Sequence, residues 1–559
     1  MMPVVTVETV RPTDAAALNG SRPLVARNAH SSSFSLHATP GPHLSDLVSS
    51  DSAGFVDIFG YSSTPPKPLV EPAMPSSLRG AHLADPDSLL VSERASNSPL
   101  GGPIVSTYRD MSPVFGVFRQ DVMPANNEVL GRNMRLNEPH AQSVESVRIY
   151  ELVTQLTNTF ITLPKGHHAK ASSSRIDQAD TFFTVSNVTS FIQTYFHHFH
   201  PHFTIIHRPS FDLKTVSPRL LVAVCLAGSL YMSTLHDIGR GKSFLDLAEE
   251  FIFRDTLLRR AARGRPFNEG TNNVANDSAV ACASSLQTMQ AALIIVLLQN
   301  WEGNLAAQRR ARSDGVQQLI SLARASRLNS FKVSWPKPGE SLENFDWAEF
   351  GRQEACTRTL YHLYTFDSTL CIIYNYPPKF ALAEMGASLP CPGEFFEATS
   401  RAECLQSEGF ADYHEQPFWS LKEVYPLLLG DDVPADAKSR LVRLTPVHLF
   451  ILVHTIHCLI WHSKHTSIRS PATISVIERA ISRWKNLWDW SKGRVPARWW
   501  RSLGFVQHAD EYRWLAQIKL HEGVSEEELV FEDDHKRGVR QLLGQFRAVQ
   551  SADDVDFDV

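Results

Sequence analysis

Five histidines crowd one short stretch, YFHHFHPHFTIIHRPSFD, at His197, His198, His200, His202 and His207. Imidazoles can share a zinc ion when they stand four apart on a helix or two apart on a strand. Here Pro201 ends or kinks the helix that carries the first two, so His197 and His198 point in different directions. His200 and His202 straddle the helix end, and no carboxylate stands at a ligand spacing before Asp212. The stretch is therefore read as a structural corner. Aromatic side chains bury it, and imidazoles bond to the backbone groups that the helix end sets free. No metal ligand and no catalytic residue is assigned.

Other chemistries fare no better. Gly241–Lys242–Ser243 ends like a phosphate loop, but that loop needs a glycine where His236 stands and a strand before it. Magnesium-binding acids of a helical prenyl-diphosphate enzyme must face inward from helices. Asp431, Asp432 and Asp436 surround Pro434 in an expected loop, and Asp533 and Asp534 follow a solvated acidic run. No G-x-S-x-G elbow supports a serine hydrolase. Arg259, Arg260, Arg263 and Arg265, and then Arg309, Arg310 and Arg312, read as solvated helix faces ahead of a nuclear-import or phosphate-contacting patch. Two stretches alternate acids with apolar residues: DSAGFVDIFGY, with Phe55, Ile58, Phe59 and Tyr61, and SADDVDFDV, with Val555, Phe557 and Val559. That composition is activation-like, because the acids keep the apolar anchors available to a partner groove.

The elements that must position these residues are helical. SVESVRIYELVTQLTNTFITL opens with a capping signal at Ser143, and Val144, Val147, Tyr150, Leu152 and Leu156 recur near helical spacing. SPRLLVAVCLAGSLYMSTL is apolar nearly all round and predicts a buried helix. KSFLDLAEEFIFRDTLLRRAARG predicts one amphipathic helix with acids early, arginines late and Gly264 at its stop. A helical hairpin is expected to turn at Gly303–Asn304. Further helices are expected over Phe350–Tyr374, Pro446–Lys464, Ile474–Trp490 and Ala497–His521. Strand-like alternation is almost absent. The expected fold class is all-α, a large multi-helix regulatory domain preceded by a disordered N-terminal region.

Composition divides the 559 residues unevenly. Residues 1–140 hold no Trp and no Cys and are punctuated by Pro, Ser, Ala and Asn, too little apolar surface to offset chain entropy. All 11 tryptophans lie at or after Trp301. A net charge of −5 argues against nonspecific wrapping of nucleic acid. Seven cysteines stand singly, none before Cys225, which predicts buried free thiols in a reducing compartment. The first residues lack a basic start and a sustained apolar run, so no secretory signal is expected. Leu220–Met232 and Ala291–Leu298, the most apolar runs, fall short of the roughly 18 to 20 residues that span a bilayer, so no membrane partner is expected. The division adopted is 1–140 disordered, 141–183 helix and polar linker, 184–400 main domain, 401–545 its helical continuation and 546–559 an acidic tail.

The corner itself resembles the opening of the fungal-specific transcription factor domain. Two later stretches resemble that family in order. MQAALIIVLLQNWEGN with QRRARSDGVQQLISLARASRLNS is similar to its central hairpin. EACTRTLYHLYTFDSTLCIIYNYPPKFALAEMGASLPCP is similar to its acid–arginine, aspartate, Pro-Pro and Leu-Pro segment. The resemblance assigns structural roles to Phe199, His200, Pro201, Phe203, His207 and Phe211 at the corner. It assigns an ion pair to Glu354 and Arg358, the family aspartate to Asp367, a turn to Pro377 and Pro378, and the terminal motif to Leu389 and Pro390. Tyr361 stands where the family usually has Trp, and Asn375–Tyr376 replaces a Gly before the proline pair, so that turn is expected to be built differently. No cysteine precedes Cys225 to supply the family's zinc cluster or fingers.

What the resemblance implies is a nuclear transcriptional regulator, of genes such as a metabolic cluster, and not an enzyme. Its implied partners are DNA, directly or through a partner that supplies the finger, the transcription machinery, a homo- or heterodimer and a small-molecule effector. No cofactor is expected in this chain, zinc being expected only with an upstream finger. The alternatives are a helical small-molecule enzyme of prenyl-diphosphate type and a ligand-sensing domain without DNA contact.

Overall fold

The computed structural model describes residues 143–163, 178–264, 274–335, 342–407, 409–410, 419–466, 468–495, 500–522 and parts of 536–544. The expected disordered region, Phe55, Ile58, Phe59, Tyr61, Arg265, Asp533, Asp534, Val555, Phe557 and Val559 lie outside the described residues. Within them every regular element is helical, and the only β contact is an isolated bridge between Ser388 and Ser420. The chain is all-α.

Helix α1 (Val144–Ile161) starts where the Ser143 hydroxyl accepts from the Ser146 N–H. It buries Ile149, Leu152, Val153 and Leu156, while Val144, Val147 and Tyr150 face solvent. The apolar pattern that reads as one face is two, on opposite sides of the helix. Helix α2 (Val185–Thr194), capped by Thr184, widens into a π-helical turn at Tyr195–Phe199, closed by the His200 N–H on the Tyr195 carbonyl at 2.9 Å. Helix α3 (Pro218–Ser229) combines a Ser217 cap with a proline in its first turn and is buried on almost every side.

Gly228 lets α3 lie close against the backbone of α2. A Cβ there would lie 1.9 Å from the Phe191 carbonyl oxygen, a backbone atom that cannot swing aside. Gly228→Ala is expected to cost about 3 kcal/mol, the upper end for overpacking, read as a fall in the urea midpoint at unchanged slope.

Helix α4 is Leu235–Ser243. The single amphipathic helix expected next is two, α5 (Leu245–Phe253) and α6 (Thr256–Ala262). Asp255 restarts the chain by accepting from the Leu257 N–H at 2.8 Å, and Gly264 takes a left-handed φ of 66° at the stop. Helix α7 (Val274–Glu302) turns at Gly303–Asn304 into α8 (Leu305–Arg310), a π turn at Ala311–Gly315 and α9 (Val316–Ala325). The arginines of this region are not all a solvated face. Arg310 pairs with Glu249 and Asp246, and Arg312 is buried, donating to Asn300 and lying over the Tyr374 ring. Only packing reveals this, because α7 brings Asn300 back alongside the π turn.

The second half adds α10 (Trp347–Tyr374), α11 (Leu421–Leu429), α12 (Ala435–Leu441), α13 (Pro446–His465), α14 (Pro471–Arg494) and α15 (Ala509–His521). The helix expected over Ala497–His521 is broken: Arg501–His508 is 3₁₀, and Gly504 stands at φ 55°. A Cβ at Gly504 would lie 2.6 Å from the Pro201 carbonyl, so this break lets the C-terminal region close on the histidine corner. Helix α7 lies against α3, α5 and α10; α10 in turn lies against α13, and α13 against α14 and α15. Helix α13 is long and apolar enough to cross a membrane, yet 72% of its most apolar window is buried inside the fold. Cys225, Cys371, Cys391, Cys404 and Cys458 are free and buried. Cys356 is disulfide-bonded, which corrects the expectation of free thiols. Spacing along the chain does not reveal which sulfurs packing brings within bonding distance.

Candidate functional site

Glu354, Arg358 and the Leu389–Pro390 segment, three of the features that carry the family resemblance, meet in one buried polar node. Helix α10 lays Glu354 and Arg358 one turn apart, both almost fully buried, with Arg358 Nε donating to Glu354 Oε1 at 2.9 Å. The same Glu354 oxygen accepts the Cys391 N–H at 2.8 Å, and Arg358 Nη2 donates to the Cys391 carbonyl at 2.6 Å. One ion pair thereby clamps both polar groups of the residue after Leu389–Pro390. Arg358 Nη1 reaches the Thr204 hydroxyl at 3.1 Å, tying the clamp to the corner, and its guanidinium lies over the Phe396 ring at 4.4 Å.

Other groups complete the clamp. His448 on α13 donates from Nε2 to the Pro390 carbonyl at 2.6 Å and accepts the Thr445 N–H on Nδ1 at 3.1 Å. Because the carbonyl only accepts and the amide only donates, His448 is held as the neutral Nε2–H tautomer. Tyr361 donates its hydroxyl to the Ala387 carbonyl at 2.8 Å and accepts the Leu421 N–H at 3.3 Å. The phenol thus supplies two hydrogen bonds where an indole would supply one donor. Leu389 is buried, and its N–H donates to the Trp419 carbonyl at 3.0 Å.

At the far end of α10, Asp367 Oδ2 accepts the N–H groups of Lys379 at 2.8 Å and Phe380 at 3.0 Å, just past Pro377 and Pro378. Asn375 adopts the left-handed conformation itself, φ 59°, and so ends α10 as a glycine would. The expectation of a differently built turn is corrected on this point.

The corner packs beside the clamp. Phe199 stacks between Tyr195 and Phe203, with centroids 5.2 and 5.3 Å away, and Phe211 meets Phe196 edge-on at 5.3 Å. His200 Nε2 bonds Glu397 Oε1 at 2.8 Å, and His207 Nδ1 bonds the Ser210 hydroxyl at 2.9 Å. These imidazoles serve side chains rather than the freed backbone groups expected, because the π turn already satisfies the backbone at the helix end. His198 stacks on Tyr231 at 5.7 Å, and His202 packs on Phe505 at 4.4 Å. The ring of His207 occupies the space a side chain at Gly351 would fill, with His207 Cε1 2.7 Å from the position of that Cβ. Among the described residues no three His, Cys, Asp or Glu side chains are grouped to hold a metal.

Electrostatics follow burial. Burial pushes Glu354 up, partly offset by the Arg358 charge and the Cys391 N–H. Burial alone would lower Arg358, but Glu354 and Cys391 hold it above the usual range. Asp367 is raised by burial against the pull of its Phe380 and Lys379 donors. Burial would raise Glu397, yet its hydrogen bond with His200 brings it below the usual carboxylate range. Burial drives His207 and His448 down to about 4 and His362 to about 3.

Such a node fastens the 385–391 segment to α10, α13 and the corner; it offers no nucleophile–base pair to a substrate. The acids weighed for magnesium do not converge: Asp431 is 89% exposed at its side chain and pairs with Arg479 at 2.7 Å. Lys242 pairs with Glu302 at the end of a helix, not with a phosphate loop. Sequence reasoning did not find Thr204, Cys391, Glu397 or His448. Residues of their types stand throughout the chain, and only the packing of the corner, the segment around Cys391 and Glu397, and α13 against one another selects these four.

An all-helical domain fastened by an acid–arginine pair, a capping aspartate and a clamped Leu-Pro segment matches the family described as the fungal-specific transcription factor domain over residues 192–486, and the chain belongs to that family. It is similar to "Transcription factor verF" of Penicillium polonicum, 26% identical over 366 residues that make up 62% of this chain and 48% of that protein. The chain spans about half the length of the curated relative it matches. No solved structure matches it.

Proposed function

We propose that the chain is a nuclear transcriptional regulator of RNA polymerase II genes, a metabolic gene cluster among the candidates, and that its helical domain is the regulatory part. The observation that supports this reading most is the family match over residues 192–486, within which Glu354 and Arg358 clamp the residue after Leu389–Pro390 and Asp367 caps the turn after Pro377–Pro378. DNA contact would come from a zinc-finger module on a partner or in sequence outside these 559 residues, since the first cysteine here is Cys225. The activation-like stretches around Phe55–Tyr61 and Phe557 would meet the transcription machinery.

The test is chromatin immunoprecipitation of the chain tagged at its native locus, with a blot for its size. Discrete promoter peaks are expected. A band larger than 62.6 kDa plus the tag would assign the finger to the same polypeptide, and the calculated size would assign it to a partner. A cytosolic protein with no peaks would overturn the reading.

A further inference from the structure

The turn that follows α9 holds an arginine in a backbone conformation that favours glycine. Arg327 stands at φ 55°, one of two non-glycine residues in the left-handed region among the described residues. Its guanidinium is exposed and makes no hydrogen bond or ion pair there. Three residues on, Ser330 is exposed at the end of the 3₁₀ turn Leu328–Ser330, its hydroxyl donating to the Arg327 carbonyl at 3.2 Å. A free arginine three residues before an exposed serine is the charge pattern an arginine-directed protein kinase reads. Acids in the kinase groove seat the guanidinium while the hydroxyl faces the nucleotide. Four other arginines stand three before a serine. Ser243, Ser313 and Ser482 belong to helical elements, and Ser112 lies outside the described residues. Ser330 alone of these lies on a short 3₁₀ turn. Two bonds close it, the Ser330 N–H on Arg327 at 3.2 Å and the Phe331 N–H on Leu328 at 3.0 Å, so a local opening extends it.

The surroundings of that hydroxyl suit a phosphate. Lys422, on the first turn of α11, is exposed and makes no ion pair among the described residues. Its Nζ lies 3.3 Å from where a Cβ on Gly386 would stand, and the Asn329 carbonyl lies 3.7 Å from the same point. Lys332, two residues past Ser330, meets Glu423 only at 3.8 Å, with both side chains about half exposed. The neighbours of Ser330 also hold the chain that enters the clamp. The Asn329 carbonyl accepts the N–H groups of Gly386 at 2.8 Å and Ala387 at 2.9 Å, and the Phe331 carbonyl accepts that of Ser388 at 3.2 Å. The next residues are Leu389, Pro390 and Cys391, which Glu354 and Arg358 fasten.

We propose that Ser330 is a phosphorylation site for an arginine-directed protein kinase, with Arg327 as the residue the kinase recognises. In the transfer, Ser330 Oγ forms a bond to the γ-phosphorus of a nucleoside triphosphate and the bond to the β,γ-bridging oxygen breaks. The nucleoside diphosphate leaves, and the hydroxyl proton passes to the base of the kinase. The product carries about two negative charges and three acceptor oxygens. Arg327, Lys332 and Lys422 are the cations at hand, so the phosphate staples the turn to the start of α11 and tightens the 386–388 segment. Neither step depends on the transcriptional reading.

The test is incubation of the purified full chain with MgATP and the catalytic subunit of cyclic-AMP-dependent protein kinase, followed by peptide mass mapping. Phosphate is expected on the peptide that contains Ser330 and is expected to be absent there from Ser330→Ala. Arg327→Gly removes the guanidinium and suits the left-handed backbone, so it folds; it should slow incorporation at Ser330 at least about 10-fold. The phosphorylated chain should unfold at a higher urea midpoint than the unmodified one. Lys422→Ala should remove that rise and leave incorporation unchanged. Far-ultraviolet circular dichroism should stay the same in all three variants, because each side chain is exposed. Phosphate on other serines but none at Ser330, or incorporation indifferent to Arg327→Gly, would overturn the site. A midpoint that phosphorylation leaves unchanged or lowers would overturn the staple.

Discussion

Arg358→Ala should lower the free energy of unfolding by about 3 to 5 kcal/mol, enough to shift the urea midpoint far below that of the wild type. The guanidinium donates to Glu354, Thr204 and Cys391, which belong to α10, the corner and the Leu-Pro segment respectively. Its removal leaves the Glu354 carboxylate buried with the Cys391 N–H as its remaining donor, and an uncompensated buried charge is the costly outcome. Arg358→Lys should recover only part of the loss, because an ammonium keeps the charge but cannot fork between Glu354 and the Cys391 carbonyl. The pair Glu354→Gln with Arg358→Met removes both charges at similar volume. It should therefore cost less than the sum of the two single changes, the signature of coupled partners in a double-mutant cycle. Additive losses would mean that the two side chains stabilise the fold separately and that the clamp is not a unit.

The helices were the legible part. Apolar runs bounded by Ser, Thr and Asn caps place α3, the α7–α8 turn and α13 close to where they lie, because each such cap satisfies an orphan N–H within its own helix. What failed was long-range. The helix expected across Asp255 and the one across Gly504 break because a cap and a close approach to Pro201 override a continuous pattern. The faces of α1 were also misjudged, since Val144, Val147 and Tyr150 have the spacing of a core stripe and only the position of the domain beneath shows which stripe is covered. Glu354, Arg358 and Leu389–Pro390 of the node, and Asp367 beyond it, were visible through the family resemblance. The partners became visible only when the chain was folded: Thr204 stands 154 residues from Arg358, His448 58 from Pro390 and Glu397 197 from His200.

The buried histidines predict a fold that fails in mild acid. His362 is held at about 3, His448 and His454 at about 4 and His202 at about 3, each chiefly by burial; His457 is pushed well below its usual value by burial and by the Lys519 charge. A folded pKa below the unfolded value of about 6.5 means the native state keeps these rings neutral while the unfolded chain takes up protons. Their contribution is complete above pH 6.5 and drains away as the pH falls toward 4. Between pH 7 and pH 5.5 a ring held neutral in the fold costs about 1 kcal/mol, so these rings together take a substantial part of the stability of an ordinary domain. Glu354 and Asp367, raised in the fold, act in the opposite direction, but they are two groups against five. Hydrogen bonding reinforces the sign: protonating His448 would place a second N–H against the Thr445 N–H that it now accepts. Urea midpoints should therefore fall steeply from pH 7 to 5.5, with more than two protons taken up on unfolding. His362→Phe, beside the Phe203 ring at 5.4 Å, should make that slope shallower by up to one proton. A midpoint flat across this range would mean that these imidazoles reach water in the native state and that the corner and clamp are far looser than their contacts imply.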